Sequence, residues 1–350
     1  MGSNGVTLGV VPAADAPDPG AVLAAFGLSG EVTAYDDVQG GWSNRVLRLA
    51  TTHGDYAVKV LRNAWGEPRW REWLAEGWRL ELAARRAGVR IPEPVAALDG
   101  GCVADVTPSE GVDAVPVRLH RWVTAAQVPR EPVPPGLAGW VGHTLASLHG
   151  LALRPHRPEL YAGRPGLTTV EVWPDLVARS RASGAPWSYQ LEAAEPLARR
   201  ASALLVPWSP DAEVLCHGDV DQKNLLVAAD GPLLCDWDVV LPRLPVHDLA
   251  EAALSLGSWR SAEVVGCVLE AYRDAGDQAG LGRHARLLPT DLGPSLASRL
   301  GWIRFTVDRA LQARTEGVRL DDRDQVDVPE LLRDLERRVD VAERIETWLG

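Results

Sequence analysis

Between two short apolar runs, Val214–Cys216 and Leu225–Val227, the chain reads His217-Gly218-Asp219-Val220-Asp221-Gln222-Lys223-Asn224. A third apolar run, Leu233–Cys235, is followed directly by Asp236-Trp237-Asp238. An Asp and an Asn five residues apart on one loop, with a further Asp on the next hairpin, can converge on one metal–nucleotide centre. Phosphoryl transfer needs this set. One carboxylate accepts or orients the proton of the attacking hydroxyl, while an amide oxygen and a second carboxylate hold Mg2+ against the negative charge of the transferred group. Asp and Asn also populate ordinary turns, so the whole constellation points to chemistry where no single member does.

Lysine usage adds a second pointer. Of the 36 Lys and Arg residues only Lys59 and Lys223 are lysine. Arginine replaces lysine at most exposed positions, but not where a compact ammonium is required. Lys59, inside the apolar run Tyr56-Ala57-Val58-Lys59-Val60, is therefore a functional candidate. Lys223 either reaches a phosphate oxygen or points into solvent, the commoner arrangement for a loop lysine. His217 is expected to support the loop backbone, with the adjacent Asp219 the better candidate to take a proton. Asp248 braces that loop or caps a helix N-terminus, and His149 is structural.

These residues need elements to position them. Val32–Val38, Arg45–Ala50 and Tyr56–Leu61 read as strands, separated by Gly40-Gly41 and His53-Gly54 turns. Glu67 to Ala87 carries Trp70, Trp73, Leu74, Trp78, Leu80 and Leu82 in a helical distribution that stops at Gly88. Val95–Val106, interrupted at Gly100-Gly101, and Val115–Trp122 read as two further strands. The first 120 residues thus form an antiparallel sheet with one long helix after the third strand. Residues 1–20 lack periodicity and read as a loose leader; 21–121 form an N-terminal lobe. Prolines 129, 132, 134 and 135 make 122–135 a hinge and linker, and 136–350 form a mainly helical C-terminal lobe. Helices are expected near Val170–Ser180, Tyr189–Leu205 and Glu330–Leu349. The last reads either as a coiled-coil seam or, more commonly, as packing against its own domain.

The pattern H-G-D-x-x-x-x-N, then an apolar strand and D-W-D, resembles the aminoglycoside phosphotransferase family, the small-molecule branch of the protein-kinase-like fold. The resemblance spans roughly residues 30–310. Gly41-Trp42-Ser43-Asn44-Arg45-Val46 is similar to the family's nucleotide-covering loop, and Tyr56–Val60 to its third strand. Gly142-His143-Thr144-Leu145-Ala146-Ser147-Leu148-His149 resembles its G-x-x-L-A-x-L-H helix, and Pro245-Val246-His247-Asp248-Leu249-Ala250 its D-L-A helix start. The resemblance implies an α+β, bilobal protein-kinase-like fold. It makes Asp219 the catalytic base, Asn224 and Asp236 the Mg2+ ligands and Lys59 the clamp on the α- and β-phosphates. A helix glutamate braces that lysine: Glu76 by spacing, with Glu72 and Glu81 as alternatives. Ser43 and Asn44 would cover the nucleotide, and His120 and Trp122, within the hinge Leu119–Val123, would meet its base through backbone groups.

Composition narrows the rest. With 47 Asp and Glu against 36 Lys and Arg the formal charge is −11, which disfavours a nucleic-acid partner and tolerates a cationic small molecule; Glu251 and Asp308 are candidate acids to meet one. No apolar run approaches the length of a membrane span, no secretory signal is visible, and four scattered cysteines suit a cytoplasmic location. A P-loop places Gly directly before Lys, whereas Lys59 follows Val58 and Lys223 follows Gln222. Gly280-Leu281-Gly282-Arg283-His284-Ala285 matches a dinucleotide pattern without the hydrophobic strand that should precede it. H-R-D, D-F-G and A-P-E are incomplete or missing, which disfavours a protein substrate. The expected activity is ATP- or GTP-dependent phosphorylation of a small-molecule hydroxyl, most readily an antibiotic, by a monomer or dimer. A metabolite kinase of the choline, homoserine or sugar type is the alternative. A non-catalytic kinase-like binding protein comes third, because Lys59, Asp219, Asn224 and Asp236 are all intact.

Overall fold

The computed structural model describes residues 16–38, 44–62, 68–107, 113–162, 167–276, 280–316 and 327–350. The chain divides into two compact units, residues 1–78 with 91–125, and residues 79–90 with 126–350.

The first unit is built on an antiparallel sheet. Strands β1 (Val32–Val38), β2 (Arg45–Thr51), β3 (Gly54–Val60), β4 (Pro94–Val95), β5 (Ala104–Val106) and β6 (Val115–Arg121) lie in the order β1-β2-β3-β6-β4, with β5 also paired to β6. Alternation drives it. Leu47, Leu49, Tyr56, Val58, Val60, Val117 and Leu119 point to one face, where Val22 and Leu23 of helix α1 (Pro19–Ala25) and Phe26 just after it cover them. That helix starts inside the segment expected to be a loose leader. The reason is local: the Asp18 carboxylate accepts the Ala21 N–H at 2.7 Å, and Pro19 sits at the first helical position. On another side, Leu61, Leu74 and Cys102 pack with Trp70 and Trp78 of helix α2 (Trp70–Arg86).

The strand expected over Val95–Val106 is instead two fragments, β4 and β5. Between them Gly100 has φ 83°, the Gly100 N–H bonds Ala97 O, and the Asp99 carboxylate accepts the Gly101 N–H at 2.8 Å. This local turn chemistry takes backbone groups that a strand would have paired. The boundary between the compact units falls inside α2, whereas the sequence suggested a lobe running unbroken to residue 121.

The second unit is mainly helical. It contains α3 (Pro135–Gly150), α4 (Trp173–Ala182), α5 (Ser188–Ala193), α6 (Glu195–Ala203), α7 (Pro245–Leu256), α8 (Ala262–Gly276), α9 (Gly293–Glu316), α10 (Val328–Glu343) and α11 (Ile345–Trp348). The helix expected over Tyr189–Leu205 is broken into α5 and α6 because Pro196, near the start of α6, cannot continue the preceding hydrogen-bond ladder. The terminal helix breaks at Arg344. Its Leu335, Val339 and Ala342 are fully buried among α6 and α9, so its apolar face is used within the domain. Helices α3 and α8 approach closely: a Cβ at Gly142 would lie 2.4 Å from Val268 O and 2.9 Å from Tyr272 N.

Short strands interrupt these helices. After β7 (Ala125–Gln127), β8 (Val214–Cys216) pairs with β11 (Leu241–Arg243), and β9 (Leu225–Ala228) forms a hairpin with β10 (Gly231–Leu234). The Arg90 carbonyl accepts the Leu234 N–H at 3.0 Å, and its guanidinium pairs with Asp230 at 2.7 Å, so the hairpin is buttressed from the end of α2.

Candidate active site

Strand β8 is buried at all three residues and delivers His217 into the interior. His217 Nε2 lies 3.1 Å from the Cys235 carbonyl, to which it donates, and Nδ1 accepts the Asp219 N–H at 3.4 Å. Its ring stands edge-on to Trp237 at 4.8 Å. Burial holds the imidazole below its ordinary pKa, so it is neutral and both nitrogens are occupied in shaping the loop. Gly218 follows at φ +82°, where a Cβ would lie 2.3 Å from Leu241 Cδ2; only glycine fits both the angle and the space.

The Gly218 N–H donates to Asp248 Oδ1 at 3.1 Å. Asp248 begins a buried chain: its Oδ2 accepts from His149 Nε2 at 3.2 Å, and His149 Nδ1 lies 2.9 Å from the Tyr272 hydroxyl. Burial alone would push the Asp248 carboxyl up. The His149 hydrogen bond and the neighbouring Arg243 charge outweigh it and hold the carboxyl below its usual range. A second anchor is Gln222, 7% exposed, whose amide nitrogen reaches the carbonyls of Glu131 (3.0 Å) and Ser255 (2.8 Å). The loop is therefore pinned to α3, α7 and α8 by side chains, as a loop without a sheet ladder must be.

On this support sits a compact polar cluster. Lys223 Nζ lies 2.9 Å from Asp219 Oδ1, 2.8 Å from its Oδ2 and 2.9 Å from Asp221 Oδ2. Asn224 Nδ2 donates to Asp219 Oδ2 at 3.0 Å and to the Asp219 carbonyl at 2.7 Å. Asp219 is 32% exposed, yet burial pushes its carboxyl up to about 6; Lys223 opposes that rise, while the charges of Asp221 and Asp236 add to it. For Lys223 burial works downward, and the charges of Asp219 and Asp221 hold the ammonium above its ordinary value.

The hairpin brings the remaining acid to the same place. Leu225 pairs with Leu234, and the Cys235 N–H extends the ladder to the Asn224 carbonyl at 2.9 Å, so Asn224 and Asp236 emerge at one end. Asp236 adopts a left-handed backbone, φ 67° and ψ 69°, which is strained for a side chain other than glycine and is a known feature of functional positions. The Asn224 amide nitrogen is committed to Asp219, which leaves its carbonyl oxygen as the donor. Together with the Asp236 carboxylate this is an all-oxygen set, the chemistry a hard divalent cation prefers.

The first unit carries the other expected residues. Lys59 is on β3, opposite Val46 of β2 and Arg118 of β6, so strand register fixes its position from both sides. Glu76 and Glu81 of α2 are 4% and 0% exposed. Glu72 is half-exposed and forms a two-pronged pair with Arg69 at 2.7 Å. Glu81 belongs to the second unit, where its charge acts on His217; Glu76 shares the first unit with Lys59. Asn44 closes the end of the β2–β3 pair by accepting the Arg62 N–H at 2.9 Å. Ser43 lies outside the described residues. His120 is paired with Ala57, and the Trp122 N–H is already given to the Asp55 carbonyl at 2.9 Å, so that donor is not available to a nucleotide base.

Sequence reasoning missed Arg118, 1% exposed, which shares a sheet face with Lys59 and lies 5.9 Å over the Trp78 ring. It also missed the capture of Lys223 by two carboxylates, for which the rarity of lysine was the available signal. The acids proposed for a cationic acceptor are both engaged: Glu251 by Arg243, and Asp308 by Arg179 at 2.7 Å and Arg304 at 3.6 Å.

The sequence profile of APH, the phosphotransferase enzyme family, matches residues 36–287. The chain belongs to that family. A search of curated protein sequences finds no match. Among solved structures, spectinomycin phosphotransferase APH(9)-Ia, in complex with ADP and spectinomycin, is similar with TM-score 0.56 and 14% identity over 88% of this chain and 94% of that one. Amicoumacin kinase hAmiN, solved with AMP-PNP and Ca2+, gives 0.57 and 12% over 89% and 88%. Choline kinase from Cryptosporidium parvum Iowa II gives 0.54 and 9% over 90% and 93%. At these identities the likeness is one of fold. The architecture is kinase-like, with an antiparallel sheet in the N-terminal part and helices in the C-terminal part. Among the described residues no helix is long and apolar enough to cross a membrane.

Proposed function

We propose that this chain transfers the γ-phosphoryl group of ATP or GTP to a hydroxyl of a small molecule. The observation that carries the proposal is the geometry of Asp219: its two carboxylate oxygens are held by Lys223 and Asn224, on a loop whose hairpin partner presents Asp236. A carboxyl near 6 is ionised at neutral pH and still basic enough to take a hydroxyl proton. In this reading Asp219 orients and deprotonates the acceptor, and Asn224 and Asp236 hold Mg2+. When bound, that ion neutralises charge on the phosphate oxygens. Lys59 clamps the α- and β-phosphates, with Glu76 as its brace; burial of Glu76 in the same unit, and the separate engagement of Glu72 and Glu81, support that choice. Ser43 and Asn44 cover the nucleotide, and His120 and Trp122 border its base.

For the acceptor, an antibiotic is the first choice, with resistance as the physiology. Relatives of this fold solved with spectinomycin and as an amicoumacin kinase support it. A metabolite kinase is the second reading, supported by the similarity to choline kinase; the arginine pairing of Glu251 and Asp308 removes the argument that they meet a cationic acceptor of either kind. Incubation with Mg-ATP and a panel of hydroxyl compounds, followed by mass spectrometry for one added phosphate, tests both. Phosphorylation of an antibiotic, or of an amino alcohol or sugar, selects between them. No ADP release with any acceptor or with water, from folded protein, would overturn the kinase assignment.

A further inference from the structure

The catalytic loop carries a cation that this reaction scheme leaves without a part. Lys223 is one of only two lysines in a chain whose other basic residues are all arginine. Its ammonium is shared between Asp219, at 2.9 and 2.8 Å, and Asp221, at 2.9 Å. Asp221 also accepts the Lys223 N–H at 2.9 Å, so one carboxylate holds this residue by its backbone and by its tip. An isolated exposed Lys–Asp pair swings in solvent and contributes little. Here a second acid fixes the ammonium over both oxygens of the first, and Asn224 adds a second donor to Asp219 Oδ2. Asp219 consequently has one orientation.

Resting on the phosphotransferase reading, we propose that Lys223 is a further residue of the transfer site: it orients Asp219 and presents its charge to the transferred phosphoryl group, with Asp221 as its holder. The electrostatics follow the reaction. The acceptor oxygen forms the new O–P bond, the P–O bond to the nucleoside diphosphate breaks, and the hydroxyl proton passes to Asp219. As that carboxylate becomes neutral, the ammonium loses half of its compensation, at the moment when negative charge is spread over the phosphoryl oxygens. Lys223 keeps its proton throughout. A compact ammonium suits this position better than a guanidinium, whose planar fork would demand a wider pocket.

The test uses the full-length chain, Mg-ATP, and the acceptor found by the panel or, failing one, water, with ADP release as the readout. K223M, nearly the same length but uncharged, should lose about 100-fold in kcat, the usual effect of removing one pre-placed donor. KM for Mg-ATP should stay within about threefold, because the role belongs to the transition state. K223R should recover about tenfold of that loss, and D221N, which keeps the ammonium but releases it, should lose about tenfold. Thermal melting of each variant reports whether it is folded; if K223M is not, K223R and D221N carry the decision. A folded K223M or D221N with parental or higher kcat would overturn the inference and make Lys223 a mere counter-ion. The controls separate the two levels of the proposal: no ADP release by the folded parental chain removes the kinase reading, an active D219N removes Asp219 as base and with it the orienting part of Lys223, and an inactive D219N beside an active K223M removes only the part given to Lys223.

Discussion

Two regions hold their chemistry in different ways. Lys59 sits on the central strand β3, and its place is set by ladders to β2 and β6, a device repeated at every residue of the sheet. Asp219 sits on a loop with no ladder, and its place is set by single side chains: Asp248 reaches in from α7 to Gly218, His149 of α3 braces Asp248, and Gln222 reaches out from the loop to the carbonyls of Glu131 and Ser255. A strand distributes the task over many equivalent bonds and tolerates the loss of one. A loop pinned by a few buried polar groups does not, because a partner left behind in the interior carries its full desolvation penalty.

That contrast can be broken or sharpened experimentally. The largest effect belongs to the proposed base: D219N should lower kcat by about 1000-fold with nucleotide binding retained, measured by ADP release and by titration of Mg-ATP. The neutral amide should also raise the melting temperature at pH 8. A carboxyl raised in the folded state contributes stability below its unfolded pKa, and that contribution is lost as pH rises through about 6. Next comes the pin: D248A leaves the Gly218 N–H and His149 without their acceptor and should cost about 3–5 kcal/mol in urea unfolding. If it costs no more than an exposed substitution, the loop is not held as described. G218A forces a side chain into a left-handed backbone against Leu241 and should cost about 1–3 kcal/mol. On the strand side, E76Q should lower kcat/KM for Mg-ATP about tenfold by loosening a clamp that register still positions, while E72Q stays within about twofold, as expected for an exposed pair. An equal loss in both would move the brace elsewhere on α2. The smallest effect is the pH profile: kcat/KM should halve near pH 6 and then fall about tenfold per unit as Asp219 takes up its proton.

Much of this was legible in the chain, and the boundary of legibility has a physical cause. Alternation in Arg45–Thr51 and Gly54–Val60 is a local signal, so the sheet and Lys59 were found directly. The spacing of Asp219, Asn224 and Asp236 was readable for the same reason. The break at Gly100-Gly101 was legible from its glycines, but not how short the flanking strands are, because hydrophobicity alone does not report an Asx bond from Asp99. Nor were the supports of the catalytic loop. Gln222 and Tyr272 act through partners far away in sequence, and a polar residue gives no hint of which distant carbonyl or ring it meets. Lys223 looked like a solvent lysine because its captors became evident only once the loop curled back on itself.

The near-contact of α3 and α8 has a consequence beyond packing. Gly142 and His149 lie on one helix; Tyr272, bonded to His149, lies on the other, beside the backbone that Gly142 touches. A single methyl group at position 142 would wedge the two rods apart, stretch the histidine–tyrosine link and be felt, through Asp248, at the Gly218 N–H beside Asp219. This close seam of the helical part thus doubles as a lever arm on the Asp219 loop.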